Sequence, residues 1–308
     1  MLCITLFSIM KWGGMSMYPF AFTSVFLALA LGLAPHPALP ADMISQQVMM
    51  QQLYDTVLQQ TATTPSAITG TWDAAALAGI DNTSRGWGQG TNYDDKNRPL
   101  GAVNAQQRYG SYNALFLAEE SPVIYLTIDE GYENGYTARI LDVLKEKKCP
   151  AVFFVTMDYV KQNPALIQRM IDEGHVVGNH SVTHPAAGLP SQSLETQAEE
   201  LMALHRYVKE HFHYDMYLFR YPAGIHSDQS LALVQQLGYR SVFWSFAYRD
   251  WIVDDQPTQT AALQKVKERL HPGAIYLLHA VSSTNTAIMG DFIDNARSQG
   301  YIFGKMID

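Results

Sequence analysis

From residue 123 to the C-terminus the chain alternates short apolar runs with amphipathic stretches, and this alternation constrains its fold more than any other feature. The runs at 123–128, 151–156, 175–178, 217–219, 239–244, 274–278 and 301–303 lack helical spacing and read as buried strands. Between them, 136–147 carries Ile140, Leu141 and Leu144 at helical spacing. Asn163 followed by Pro164 marks a capped helix start, and Gly174 stops that helix. Further helices are predicted at 194–212, 228–237, 258–270 and 286–298. About seven strand–helix alternations predict an α/β fold with a parallel sheet covered by helices, open or closed into a barrel. In such folds the chemistry lies at the C-terminal ends of the strands.

The remaining sequence frames this domain. The 308 residues suffice for one well-buried domain plus a leader and an N-terminal extension. Lys11, an apolar run at 18–34 and the Pro- and Ala-rich stretch 35–41 read as an export signal at 1–41, with an uncleaved membrane anchor as the alternative. Residues 42–85 are rich in Gln, Thr, Ala and Ser and predict a short helix at 44–60 followed by a linker. Residues 86–120 are expected to form an extension packed on the main domain at 121–308. Cys3 falls in the leader and leaves Cys149 without a partner, so no disulfide framework is expected. The net charge of −8, with no long basic run, argues against nucleic acid as a partner.

Polar residues cluster where the predicted strands end. Asp129 and Glu130 follow the first, His180 and His184 the third, and Arg220 the fourth. Asp250-Trp251 come after the fifth and His279 after the sixth. His180 and His184, four apart, would share one side of a helical turn and could hold one divalent metal if a carboxylate such as Glu130 joined them. The pair alone is a weak signal, because surface or structural histidines are common at this spacing. Of two adjacent acids, one can bind the cation while the other takes a proton from water. Asp250 could orient His279, and Arg220 could keep Asp129 ionised.

In this order the segments resemble the polysaccharide deacetylases of carbohydrate esterase family 4, the NodB-like domain. The motifs that carry the resemblance are Thr127-Ile128-Asp129-Glu130-Gly131, His180-Ser181-Val182-Thr183-His184-Pro185, Arg220-Tyr221-Pro222-Ala223-Gly224, Asp250-Trp251 and Leu277-Leu278-His279. The resemblance covers 121–308 and implies a distorted (β/α) barrel that removes acetyl groups with the help of a divalent metal, zinc first, with cobalt and manganese as alternatives. It implies Asp129 as general base, His279 as general acid held by Asp250, and Arg220 as support for Asp129. It implies His180, His184 and Glu130 as metal ligands, Ala223 and Tyr221 beside the oxyanion, and Trp251 and Leu277 around the acetyl group.

The stretch 125–137 (Tyr125-Leu126-Thr127-Ile128-Asp129 through Tyr132-Glu133-Asn134-Gly135-Tyr136-Thr137) and the run His271-Pro272-Gly273 through His279 resemble the delta-lactam-biosynthetic de-N-acetylase branch, which acts on N-acetylmuramic acid of peptidoglycan. Glu130 departs from the pattern, since the family usually has Asp there and the branch often Asn. The expected substrate is peptidoglycan or a related N-acetylated glycan, and the expected protein is an exported monomer at the cell wall. A deacetylase of N-acetylglucosamine polymers or of acetyl-xylan, and a noncatalytic wall-binding module, remain alternatives at this point.

Overall fold

The computed structural model describes residues 68–306. The leader and the helix predicted at 44–60 lie outside the described residues. Eight strands are present among the described residues: β1 Ala114–Leu115, β2 Val123–Glu130, β3 Val152–Val155, β4 Val176–Asn179, β5 Leu218–Phe219, β6 Arg240–Val242, β7 Ile275–His279 and β8 Ile302–Phe303. The helices are α1 Ala74–Leu77, α2 Leu100–Tyr109, α3 Thr137–Glu146, α4 Met157–Gln162, α5 Pro164–Asp172, α6 Leu194–Phe212, α7 Asp228–Gln236, α8 Gln259–Glu268 and α9 Ser283–Ser298.

The sheet order is β1-β6-β5-β4-β3-β2-β7, with β8 added beside the start of β2, and every pairing is parallel. Just past β6, Phe246 bridges to Tyr276 of β7, so the ladder curls back on itself into the expected distorted barrel. The seven predicted strands are all present. The eighth, β1, lies in the stretch assigned to the extension, which therefore contributes an edge strand to the sheet.

The strands alternate between two faces with a period of two. Ile124, Leu126, Ile128, Phe153, Val155, Val177 and Phe219 join the large core shared with the helices. Val152, Phe154, Val176, Leu218, Val242 and Ile275 pack a second cluster inside the curl of the sheet, with Tyr125 against it. This parity decides which strand-end side chains can meet.

Two local expectations are corrected. Asn163 makes no side-chain cap to α5; its amide donates to the Tyr159 carbonyl at 3.0 Å, because Asn163 also closes α4, a helix the periodicity did not reveal. Residues 68–85, read as the end of a linker, are packed in place. Asp73 caps α1, Leu77 is fully buried, and Arg85 and His226 exchange backbone hydrogen bonds. Among the described residues no helix is long and apolar enough to cross a membrane.

Gly178 marks a tight point inside the curl. A Cβ there would lie 2.5 Å from the buried Phe154 ring. That ring in turn lies 4.2 Å beneath the Arg220 guanidinium. Gly178→Ala is therefore expected to lower unfolding stability by about 1–3 kcal/mol, the usual range for overpacking. Denaturant melts of the purified variant check this, and unchanged stability would show that the Phe154 ring can yield.

Candidate active site

Asp129, His180, Arg220 and His279 share one origin, each being the inward-facing residue at the C-terminal end of its strand. On β2, Tyr125, Thr127 and Asp129 have the same parity, and Asp129 pairs in register with Phe154 of β3 and His279 of β7. His180 and Arg220 follow Asn179 and Phe219, which pair with each other. Asn179 faces the helices, where its amide donates to the Leu201 carbonyl of α6. The next residue on each strand must then face inward.

Asp129 is only 7% exposed. Arg220 Nη1 donates to its Oδ1 at 2.8 Å, and His180 Nε2 lies 3.5 Å from its Oδ2. Burial by itself would raise the carboxyl pKa, but the Arg220 guanidinium, aided by His180 and His279, outweighs it and holds the group below its ordinary value. Asp129 is thus kept as a carboxylate. Arg220 is fully buried and donates from Nε to the Val242 carbonyl and from Nη2 to the Phe243 carbonyl, at 3.1 Å each.

His279 is built the opposite way. Its Nδ1 donates to Asp250 Oδ1 at 2.7 Å and its backbone N–H to Asp250 Oδ2 at 2.8 Å. Burial would lower the imidazole pKa, yet the Asp250 hydrogen bond and charge overcome it and raise the value. Asp250 is fully buried and also accepts from Asn285 Nδ2 at 2.5 Å, while the Asn285 amide oxygen accepts from the Tyr248 hydroxyl. Asn285 and Tyr248 escaped the sequence reading, since nothing in their local pattern sets them apart.

The imidazole pair is close but not helical. His180 and His184 have ring centroids 4.8 Å apart on an irregular loop in which Ser181 and His184 take positive φ, so the expected helical turn is replaced by a folded loop. Glu200 of α6 holds that loop by accepting from the Val182 and Thr183 N–H groups at 3.0 and 2.8 Å. His180 Nδ1 donates to the Arg220 carbonyl at 2.9 Å, which leaves Nε2 free. Burial brings its pKa down to about 4, so the ring is neutral and Nε2 carries a lone pair. This suits a metal ligand.

Glu130 corrects the expected ligand set. One residue beyond Asp129, it points to the helix side, in register with Val155 of the outer core. Its carboxyl is fully buried and meets Thr137 Oγ1 at 3.2 and 3.4 Å, while the Tyr159 hydroxyl donates to Glu133 and also contacts Thr137 Oγ1. Burial, with the neighbouring Glu133 and Asp129, raises its pKa well above the usual carboxylate range. It does not line the cavity, and among the described residues no group of three His, Cys, Asp or Glu forms a metal-holding set. The two imidazoles fit a metal, and the Glu130 carboxyl is turned away from their cavity.

These groups open onto a cavity of about 670 Å³ lined by Asp129, His180, His184, Ala223, Trp251, Leu277 and His279, among others. The Tyr221 ring backs this wall, stacked on Phe243 at 5.5 Å. Ala223 takes a left-handed φ of 51°, and a Cβ on its neighbour Gly224 would press on Trp244 at 2.8 Å, so the turn lies tight against the wall. Trp251 is 48% exposed, with its ring 5.6 Å from His279, and Tyr132 is 52% exposed, also at the cavity. The extension adds Trp87, Gly88 and Gln89. Trp87 Nε1 donates to the Trp244 carbonyl at 3.0 Å and Gln89 Nε2 to the Ala247 carbonyl at 2.9 Å. The sequence places these three residues in the extension at 86–120 and assigns them no part in the cavity.

Comparison with known proteins identifies relatives of this chain. The polysaccharide deacetylase family pattern matches residues 117–242. The peptidoglycan-N-acetylmuramic acid deacetylase PdaA of Bacillus subtilis is 43% identical over 199 residues, 64% of this chain and 74% of that protein. An uncharacterized 30.6 kDa protein of Geobacillus stearothermophilus is 40% identical over 233 residues, 75% of this chain and 87% of that one. The solved structure of Bacillus subtilis PdaA, a family 4 carbohydrate esterase, superposes with a TM-score of 0.69 at 37% identity, covering 73% of this chain and 96% of that one.

Two variants separate ligands from neighbours. Elemental analysis of purified protein is expected to find the same bound divalent metal in Glu130→Gln as in wild type. His180→Ala should lose it, because an imidazole oriented by Arg220 is removed. Loss of metal from Glu130→Gln would restore Glu130 as a ligand.

Proposed function

The chain belongs to the polysaccharide deacetylase family, and on that premise we propose that it hydrolyses the N-acetyl amide of muramic acid in peptidoglycan. The observation that carries the reading is one cavity with a carboxylate whose ionised form Arg220 favours on one side and an imidazole whose protonated form Asp250 favours on the other. The similarity to PdaA supports muramic acid as the sugar.

The acetamide lies between Asp129 and His279. Asp129 accepts a proton from water as the water oxygen bonds to the acetyl carbon, and the carbonyl electrons pass to oxygen. The backbone turn at Ala223 is assigned to the developing oxyanion. His279 then gives its Nε2 proton to the amide nitrogen, the C–N bond breaks, and the products are acetate and the free amine. Members of the family are generally metal-dependent, and a divalent ion held by His180 and His184 would polarise the acetyl carbonyl and the attacking water. The Trp251 and Tyr132 rings at the mouth offer faces for the sugar. Export is part of the proposal, because peptidoglycan lies outside the cytoplasm, and the apolar run at 18–34 behind Lys11 supports it.

Acetate release from peptidoglycan glycan tests this reading. Asp129→Asn and His279→Ala are each expected to lower kcat by roughly 10²–10⁴-fold, the range for losing a positioned acid or base. Full activity in either variant rules out its assigned role.

The pH profile gives a second check. An acid catalyst acts only while protonated, so activity falls as pH rises through the His279 value. Asp250 raises that value. Asp250→Asn should therefore move the alkaline limb of kcat to lower pH, and an unmoved limb would show that another group sets it.

A further inference from the structure

Outside the acid, the base and the imidazole pair, the wall of the cavity carries one residue whose charge the reaction does not use. Arg249 is the only Lys or Arg lining the cavity among the described residues. Arg220 is fully buried behind Asp129 and committed to it and to two carbonyls. The Arg249 side chain is 62% exposed and reaches Asp255 Oδ2 at 2.5 Å, with Asp255 itself 69% exposed. An ion pair this open holds its partners weakly and exchanges readily.

The backbone under Arg249 is firmly placed. It stands between Tyr248, whose hydroxyl bonds Asn285, and Asp250, which receives His279 twice and Asn285 once. The Asp250 carbonyl also accepts from Gln256 Nε2 at 2.6 Å. An exposed guanidinium is thus mounted on a fixed segment, at the rim of the cavity and next to the acid catalyst's support. It is a local positive charge on a chain of net charge −8.

The chemistry of the sugar gives that charge a use. N-acetylglucosamine is neutral. Muramic acid carries an ether-linked lactyl group on the ring carbon next to the one bearing the acetamide, and where no stem peptide is attached that group ends in a free carboxylate. When the amide lies between Asp129 and His279, the carboxylate must project from a neighbouring position on the same ring. A guanidinium fork matches a carboxylate with two parallel hydrogen bonds, which an ammonium cannot do.

We propose that Arg249 reads the lactyl carboxylate of muramic acid, exchanging Asp255 for the substrate and so selecting this sugar over N-acetylglucosamine. The inference rests on the muramic acid reading above and adds the residue that enforces it. Arg249 acts in binding and makes no contact with the bond that breaks.

The experiment compares two glycans prepared from the same peptidoglycan, one with free lactyl carboxylates and one with those groups converted to methyl amides. Acetate release by the full chain gives kcat/KM on each. Wild type should prefer the free acid by about tenfold or more, the usual worth of a hydrogen bond to a charged group. Arg249→Gln should bring this ratio to near one, chiefly through KM on the free acid. Arg249→Lys should keep part of the preference, and Arg249→Glu should invert it. Exposed substitutions of this kind leave folding intact, which a thermal melt confirms. If wild type deacetylates muramic residues and Arg249→Gln keeps the preference, the inference fails alone. If wild type acts only on N-acetylglucosamine residues, the muramic acid reading fails and takes the inference with it.

Discussion

The site depends on a charge pair almost wholly withdrawn from bulk water. Asp129 and Arg220 meet at 2.8 Å inside the curl of the sheet, with Arg220 fully buried over the Phe154 ring. Burying two charges costs several kcal/mol per ion, and the mutual attraction offsets this only when the remaining hydrogen bonds are satisfied. Here the Val242 and Phe243 carbonyls accept from the guanidinium Nε and Nη2, and His180 borders the second carboxylate oxygen. The Arg220 carbonyl also fixes the ring of His180. One buried arginine therefore sets the ionisation of the base through its side chain and the orientation of a metal-binding imidazole through its backbone.

The other half of the site repeats this logic with the sign reversed. Asp250 does for His279 what Arg220 does for Asp129, supplying a buried countercharge that favours the ionised partner. The two catalytic groups are register partners on adjacent strands, and their opposite pKa shifts come chiefly from the residues behind them. The backing residues sit on different segments, with Arg220 after β5 and Asp250 in the loop beyond β6. The family pattern ends at residue 242, yet both members of the acid half lie beyond it.

Much of this was legible in the sequence because strand ends are local. A run such as 123–128 followed by Asp129 announces both a buried strand and the polar residue at its tip, and the same holds for His180, Arg220 and His279. Parity was the missing step. Applying a period of two to β2 separates Asp129 from Glu130, since adjacent residues on an extended strand cannot both face the cavity. The helical spacing of His180 and His184 misled in the other direction, because positive φ at Ser181 and His184 folds the loop in a way that side-chain spacing does not encode. Glu200, Asn285 and Gln89 act through long-range hydrogen bonds from distant segments, and nothing in their neighbouring residues distinguishes them from ordinary polar positions.

The wall built by Trp87, Gly88 and Gln89 differs in kind from the rest of the cavity. It is joined to the barrel by side-chain hydrogen bonds to the Trp244 and Ala247 carbonyls, and the Trp244 indole returns a bond to Gln89 Oε1 at 3.1 Å. None of these three residues belongs to a strand of the sheet. Acid and base are inherited with the ladder, whose register tolerates little change. The wall is held separately, through a few docking contacts to the carbonyls of 244 and 247 and to the Trp244 indole. Descendants of such a scaffold can exchange the upstream segment as a unit and remodel the mouth of the cavity while the proton-transfer pair stays unaltered, so divergence in substrate range and conservation of reaction need not compete for the same positions.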